Sequence, residues 1–310
     1  MATRPSFFNN SIQGSVSVKV INGREISDNL IEEIGREIAI RVEQGHPRPG
    51  LAVVLVGDDP ASAIYVRNKI RSAEKAGVSS VVKRLEQDCT QQELDEVVTE
   101  LNARDDIHGI LVQLPLPRHL SEDRILNLID PDKDVDGFHP INAGLLASGQ
   151  AKLIPCTPLG CLEILQREFG DLTGKHAVVV GRSNIVGKPM ASLLLQADCT
   201  VSIVHSKSVA AESLCQQADI LVAAAGVPEL VTDKWVKPGA VVIDVGINAT
   251  EIDGQRKLVG DVNFDDVAEK CRAITPVPGG VGPMTIASLI KNTLVAAKQL
   301  DAEPQAVGLR

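Results

Sequence analysis

The sequence predicts an α/β protein of two domains, each a parallel sheet flanked by helices. Three observations carry this expectation. Short, wholly apolar runs, such as Leu-Ala-Val-Val-Leu-Val at 51–56 and Val-Val-Val at 178–180, read as strands buried on both faces, which is the habit of parallel sheets. These runs alternate with helical stripes along residues 26–128 and again along 177–245, the rhythm of βαβ units. Aromatic residues make up only 2% of the 310 residues, so Val, Ile, Leu and Ala must fill the cores of a chain long enough for two domains.

In the first half, the opening dozen residues read as a loose leader. Apolar residues at 26, 30, 31, 34, 38 and 42 form a helical stripe over 26–42. A Pro/Gly loop at 45–50 leads into the strand 51–56. Asp59-Pro60 then starts a helix, because the Asp side chain can accept first-turn N–H bonds and Pro suits the first helical position. This helix carries Tyr65, the sole tyrosine, and Lys69, and stops near Gly77, a C′ glycine. Residues 78–85 form a second strand, and Thr90 caps a helix to about Ala103. Residues 109–114 form a third strand, and a helix runs from Ser121 to about Leu128. Residues 130–144 read as a long polar connector.

A helix from Thr157-Pro158 to about Gly170 links the domains. The second alternation places strands at 177–180, 201–204, 220–224 and 241–245, with helices at 187–196 and 210–216. A Pro/Gly loop at 276–283 precedes a long helix at 284–300, expected to pack back on the first domain. The domains are therefore drawn as 1–148 with 284–310, the catalytic unit, and 149–283, a Rossmann-like dinucleotide-binding unit.

Composition excludes several classes. The net charge is −9 with no basic run, so nucleic acid is not an expected partner. No apolar stretch approaches 18 residues and no signal peptide is evident, so a soluble cytoplasmic protein with no membrane partner is expected. The cysteines at 89, 156, 161, 199, 215 and 271 form no C-x-x-C pair and read as reduced packing thiols. The histidines show no metal-ligand spacing, so no metal is assigned.

The run Val178-Val-Val-Gly181-Arg-Ser-Asn-Ile-Val-Gly187 is a strand, a glycine turn and a helix start. Its G-x5-G spacing departs from G-x-G-x-x-G, but it opens the first βαβ unit of the second domain. Gly181 allows the tight turn, and Gly187 lets the helix N-terminus aim at phosphate. NAD enzymes place an acid about 20 residues on to hold the ribose 2′-OH. Here that strand ends in His205-Ser206-Lys207, with no acid. Ser206, Lys207 and Arg182 would welcome a 2′-phosphate, so NADP is favoured over NAD. A plain tight turn and a solvated loop also fit these residues.

In the first domain, Tyr65 and Lys69 lie four apart on one helix face. Gln113 is an amide inside an apolar strand and needs partners. Asp136 lies in Lys133-Asp-Val-Asp-Gly137, where it is a turn former or a ligand. These three features, the Tyr65–Lys69 pair, Gln113 and Asp136, sit toward the C-terminal edge of the first sheet, where open α/β sheets bind ligands.

Together these runs resemble the bifunctional methylenetetrahydrofolate dehydrogenase/cyclohydrolase family. The matching runs are Gly57 with Tyr65-x-x-x-Lys69, His108-Gly-Ile-Leu-Val-Gln-Leu-Pro-Leu-Pro117, and Pro131-Asp-Lys-Asp-Val-Asp-Gly137 leading to Ile141-Asn-Ala-Gly144. They continue with Pro155-Cys-Thr-Pro158, Gly181-Arg-Ser with Ile185-Val-Gly187, Asp244-Val-Gly-Ile-Asn248, and Pro276-Val-Pro-Gly-Gly-Val-Gly-Pro-Met-Thr285. They are collinear over roughly 19–300. Leu159 stands where a polar residue, often Lys or Arg, is expected.

The resemblance implies NADP-dependent oxidation of 5,10-methylenetetrahydrofolate to the methenyl cation, then hydrolysis to 10-formyltetrahydrofolate. It implies that Lys69 is the catalytic lysine, that Tyr65 stacks on the folate, that Gln113 holds Lys69 and that Asp136 binds the pterin. Pro278, Gly279 and Gly280 would border the folate. Gly181, Arg182, Ser183, Ser206 and Ile247 would contact the cofactor. It also implies a homodimer, with the second domain expected to supply the contact. A lysine acts as a base only if its pKa falls from about 10.4 toward neutrality, which burial and the nearby Arg67 and Arg71 would favour.

Two rivals remain from the residues alone. Tyr-x-x-x-Lys is also the catalytic pair of short-chain NADP oxidoreductases, but there it follows the nucleotide turn within one domain. A non-catalytic nucleotide-binding module is the other, against which the polar set Tyr65, Lys69, Gln113 and Asp136 speaks.

Overall fold

The computed structural model describes residues 18–252 and 255–302, so the leader lies outside the described residues. Two parallel sheets are joined by helices. In the first half, β1 (Lys19–Val20) precedes α1 (Gly23–Glu43), then β2 (Gly50–Val56), α2 (Pro60–Lys75), β3 (Ser79–Leu85), α3 (Gln91–Asn102), β4 (Gly109–Val112), α4 (Glu122–Leu128) and α5 (Pro140–Ala147) follow. The first sheet has the order β3-β2-β4, with both pairings parallel. Every residue of β2 is buried, as its unbroken apolar run requires. The edge strand β3 carries Lys83 and Arg84, charges that discourage pairing with another chain.

In the second half, α6 (Cys156–Phe169) leads to β5 (His176–Val180), α7 (Gly187–Gln196), β6 (Thr200–Val204), α8 (Ala211–Cys215), β7 (Ile220–Ala223) and β8 (Val241–Asp244). A hairpin of β9 (Asn248–Ile252) and β10 (Gln255–Val259) follows, then α9 (Phe264–Ala268), β11 (Ala273–Ile274) and α10 (Val281–Ala302). The second sheet has the order β1-β11-β8-β7-β5-β6. The chain passes from β5 to β6 on one side and then to β7 on the other, so the strand order reverses at β5. Nucleotides bind at such reversals.

One continuous core joins the halves. It includes Ile31, Ile34 and Ile38 of α1, Val53 of β2, Ile164 of α6, Val179 of β5, and Met284, Ile290 and Leu294 of α10. The last helix packs back on α1, α2 and α6 and reaches β4 of the first sheet.

The structure corrects several sequence expectations. The third strand ends at Val112 rather than 114, so Gln113 stands just beyond it, although its N–H still donates to the Val54 carbonyl at 2.9 Å. The connector 130–144 contains the start of α5, capped by His139, whose Nδ1 accepts the Ile141 N–H at 3.1 Å. Histidine is not among the usual capping residues, which hid this start. The two-residue strands β1 and β11 carry no periodicity and exist because each completes a ladder: β11 pairs with β8, and β1 with β11.

Candidate active site

Asp59 accepts the Ser62 N–H at 2.8 Å and Pro60 occupies the first turn, so α2 begins where the sequence places it. Tyr65 is 41% exposed, and Lys69, one turn on, is half-buried. Lys69 Nζ donates to Gln113 Oε1 at 3.0 Å. Gln113 Nε2 in turn donates to the Leu114 carbonyl at 2.7 Å. The amide is thus held at both ends, with its oxygen toward the lysine. One ammonium donor is committed and two remain.

Asp136 is placed by an unusually well-tied loop. Lys133 is buried and its Nζ donates to the carbonyls of Asn102 and Arg104, both at 2.8 Å. Asp134, 1% exposed, accepts the N–H groups of Gly137 at 3.2 Å and His139 at 2.8 Å, and the Asn142 amide at 2.9 Å. The turn-forming role weighed for Asp136 therefore belongs to Asp134. Val135 between them is in the core. Asp136 is left half-buried and facing the charge of Lys69. Burial raises its pKa to about 6, partly opposed by Lys69, while Asp134 adds to the rise. The Cys156 thiol beside it is pushed well above its ordinary range by burial and by the Asp136 charge.

A cleft of about 720 Å³ opens between α1, α2 and the loop 276–283. Tyr65, Ile247, Pro278, Gly279 and Gly280 all line it. The approach of α1 to this loop needs a glycine: a Cβ on Gly23 would lie 1.8 Å from the Gly280 carbonyl oxygen. Lys69, Gln113 and Asp136 are not in that lining; they form a polar cluster one helical turn beyond Tyr65. Arg67 lines a separate groove on the outer side of α2, with Ile64 and Val82. Arg71 borders both spaces.

The phosphate-type turn follows β5. Gly181 has φ +128°, and a Cβ there would sit 2.1 Å from the Ala224 carbonyl oxygen, so the backbone of this turn passes as close to β7 as it can. Ser183 Oγ accepts the N–H groups of Val186 at 3.1 Å and Gly187 at 3.2 Å, so it caps the start of α7 while its own O–H stays available. Arg182 and Ser206 are exposed at the ends of β5 and β6. His205 Nδ1 accepts the Lys207 N–H at 3.1 Å, which turns Ser206 outward. A turn with glycine at each end, a helix start without acids and the exposed cations Arg182, Lys188 and Lys207 fit a dinucleotide bearing an extra phosphate.

Sequence reasoning assigned no role to two buried carboxylates that set the position of Ile247. Asp244 accepts the N–H groups of Gly246 at 3.0 Å, Asp261 at 2.9 Å and Val262 at 3.0 Å. Asp261 accepts those of Ala225 at 2.6 Å and Gly226 at 2.8 Å. Together they clamp the ends of β7 and β8. Burial raises the Asp244 pKa to about 6 in spite of its three donors. The clue in sequence was an Asp ending an apolar strand, Val241-Val-Ile-Asp244, with no partner in sight.

Among the described residues, no group of three or more His, Cys, Asp or Glu side chains could hold a metal ion. No described helix is long and apolar enough to cross a membrane. All six cysteines are buried and free.

Comparison with known proteins agrees along the chain. The family described as tetrahydrofolate dehydrogenase/cyclohydrolase, catalytic domain, matches residues 21–136, and its NAD(P)-binding domain matches residues 155–301. The bifunctional protein FolD 2 of Pseudomonas savastanoi pv. phaseolicola is 55% identical over 284 residues, covering 92% of this chain and 94% of that protein. The crystal structure of the bifunctional enzyme FolD, methylenetetrahydrofolate dehydrogenase/cyclohydrolase, from Campylobacter jejuni superposes with a TM-score of 0.86 at 46% identity, covering 91% of this chain and 99% of that one. The Trypanosoma brucei enzyme, N5,N10-methylenetetrahydrofolate dehydrogenase-cyclohydrolase (FolD), solved with NADP cofactor and inhibitor, gives 0.87 at 37% identity, covering 92% and 99%.

Proposed function

This chain belongs to the tetrahydrofolate dehydrogenase/cyclohydrolase family, and from that membership and the geometry of its cleft we propose how its residues divide the work. The enzyme is bifunctional: it oxidises 5,10-methylenetetrahydrofolate to the 5,10-methenyl cation and hydrolyses that cation to 10-formyltetrahydrofolate. Its cofactor is NADP, which when bound supplies the hydride acceptor. The folate half is assigned to residues 1–148 with 284–310 and the dinucleotide half to 149–283, save that β1 (Lys19–Val20) pairs into the second sheet.

Asp136 holds the pterin. Ionised above about pH 6, its two oxygens accept paired hydrogen bonds from the pterin amino group and ring N–H. Tyr65 on the cleft wall stacks on the folate, and Pro278, Gly279 and Gly280 border it from the facing loop. Ile247, which also lines the cleft, would contact the cofactor. Gly181 and Ser183 shape the phosphate turn, and Arg182 and Ser206 take the 2′-phosphate.

The hydride leaves a carbon flanked by two nitrogens, and the resulting cation is delocalised over both. That step asks the protein for alignment more than for acid or base. Water attack on the cation does release a proton. Lys69 receives or relays it, with Gln113 aiming its nitrogen. The single observation that carries this division is the 3.0 Å Lys69–Gln113 bond set against the charge of Asp136. The short-chain alternative needs Tyr and Lys in the nucleotide-binding sheet, whereas α2 flanks the other sheet.

A Lys69→Ala enzyme is expected to lose cyclohydrolase activity and keep only a crippled dehydrogenase. Methenyl and 10-formyl products followed in parallel with NADP and NAD provide the test. Wild-type rates for both activities in the variant, or faster turnover with NAD in the parent enzyme, would overturn the corresponding assignment. From the resemblance the chain is assigned as a homodimer joined through its second domain, which light scattering of the intact chain and of surface variants in that domain would check.

A further inference from the structure

The carboxylate assigned to the pterin sits on a loop whose anchor lies far away in sequence, on the last helix. Asn292 of α10 is 2% exposed. Its Nδ2 donates to the Val135 carbonyl at 2.8 Å and to the Ile154 carbonyl at 2.7 Å, and lies 3.7 Å from Cys156 Sγ. Val135 immediately precedes Asp136, and Ile154 lies just before α6. These two segments pack backbone against backbone: a Cβ on Gly137 would lie 2.4 Å from the Pro155 nitrogen. Their carbonyls at 135 and 154 converge on one point and would repel without a donor between them. The Asn292 amide supplies both N–H groups to that point.

We infer that Asn292 is a positioning residue for folate binding: by bridging the Val135 and Ile154 carbonyls it fixes where Asp136 stands relative to Lys69. The inference rests on the assignment of Asp136 to the pterin made above. Three features separate this side chain from an ordinary buried amide. It is the described side chain that ties the rigid α10 to both segments beside Asp136. The Val135 carbonyl it holds also accepts the Cys156 thiol at 3.1 Å, and that thiol lies against the Asp136 carboxyl, so a shift at residue 135 reaches Asp136 along the backbone and through the packing of the thiol. The same helix begins at Val281, directly after the Pro278–Gly280 turn, and its residues 281–283 and Ile286 line the cleft. One rigid rod thus relates the wall beside the folate to the carboxylate that holds its pterin.

Asn292→Leu keeps the volume and removes both donors. It is expected to raise the KM for methylenetetrahydrofolate by about tenfold, the size associated with orphaning a buried acceptor, with little change in NADP affinity measured by fluorescence. It is also expected to displace the acidic limb of the pH–KM profile that Asp136 sets. Thr293→Val is the control, because among the described residues the Thr293 hydroxyl donates to the Leu289 carbonyl of its own helix alone, at 2.8 Å. This control removes a buried hydrogen bond from the same turn and should lower Tm without moving folate KM or the acidic limb. Should Asn292→Leu fail to fold, Asn292→Ser retains one donor and carries the same comparison, with about threefold in KM expected.

Asp136→Asn separates the two ways of being wrong. If Asp136→Asn leaves folate KM unchanged, the pterin assignment fails and this inference with it. If Asp136→Asn raises KM while Asn292→Leu, or Asn292→Ser in its place, behaves like the Thr293→Val control, the inference about Asn292 alone is overturned.

Discussion

Lys69 on α2 and Gln113 beyond β4 meet at 3.0 Å across 44 residues of sequence, and the amide oxygen, not the nitrogen, faces the lysine. The orientation follows from the other end of the amide, which donates to the Leu114 carbonyl. A carbonyl is a neutral acceptor. It holds the lysine nitrogen in place without adding a charge beside it. A carboxylate in the same position would instead favour the ammonium form.

Gln113→Glu therefore keeps size and contact but sets a second carboxylate, besides Asp136, against Lys69. Cyclohydrolase activity is expected to fall about 10²-fold at neutral pH, the usual worth of a positioned base, while hydride transfer falls much less. Separate assays of the two half-reactions check this. An equal loss in both would mean that Gln113 only shapes the pocket.

Asp136, with its pKa raised to about 6, makes folate binding pH-dependent. Above that value it is ionised and accepts the pterin donors; as pH falls through it, the protonated carboxyl loses the paired acceptance. The KM for folate is expected to climb below about pH 6, and Asp136→Asn should flatten that profile. For the free enzyme the linkage runs the opposite way. A raised carboxyl pKa means that the charged form costs stability, fully so above about pH 6, and the cost fades as pH falls toward the unfolded value of 3.8. Without substrate, Asp136→Asn should be more stable than the parent at neutral pH, by at most about 3 kcal/mol. Denaturant titrations at two pH values measure it.

Ser206 stands where NAD enzymes carry an acid. Ser206→Asp is expected to raise the KM for NADP by about tenfold to a hundredfold through like-charge repulsion and to leave that for NAD within a few-fold. Steady-state kinetics with both cofactors decide it, and an unchanged preference would place the 2′-phosphate elsewhere.

Gly23 lets the start of α1 reach the Gly280 carbonyl. Gly23→Ala must push the helix from the loop that closes the cleft. A loss of about 2 kcal/mol in stability is expected together with a raised folate KM. Thermal unfolding and kinetics on the same preparation test the pair of effects.

Much of this was legible in one dimension because its causes are local. The unbroken apolar run of β2 required burial on both faces, Asp59-Pro60 started α2 within four residues, and Gly181 marked a turn that no side chain could enter. The family motifs named Lys69, Gln113 and Asp136 and implied that Gln113 holds Lys69, but not which end of the amide does so or what ties the loop of Asp136. Tertiary structure alone decided that Gln113 leaves its strand and turns its oxygen to Lys69, and that Asp134 rather than Asp136 ties the loop. It also decided that β11 and β1 complete the second sheet, and that Asn292 reaches back 157 residues to Val135. The physical reason is range. Periodicity, caps and turns act within a few residues, whereas the partner of a buried donor is whichever acceptor the packed core brings within about 3 Å.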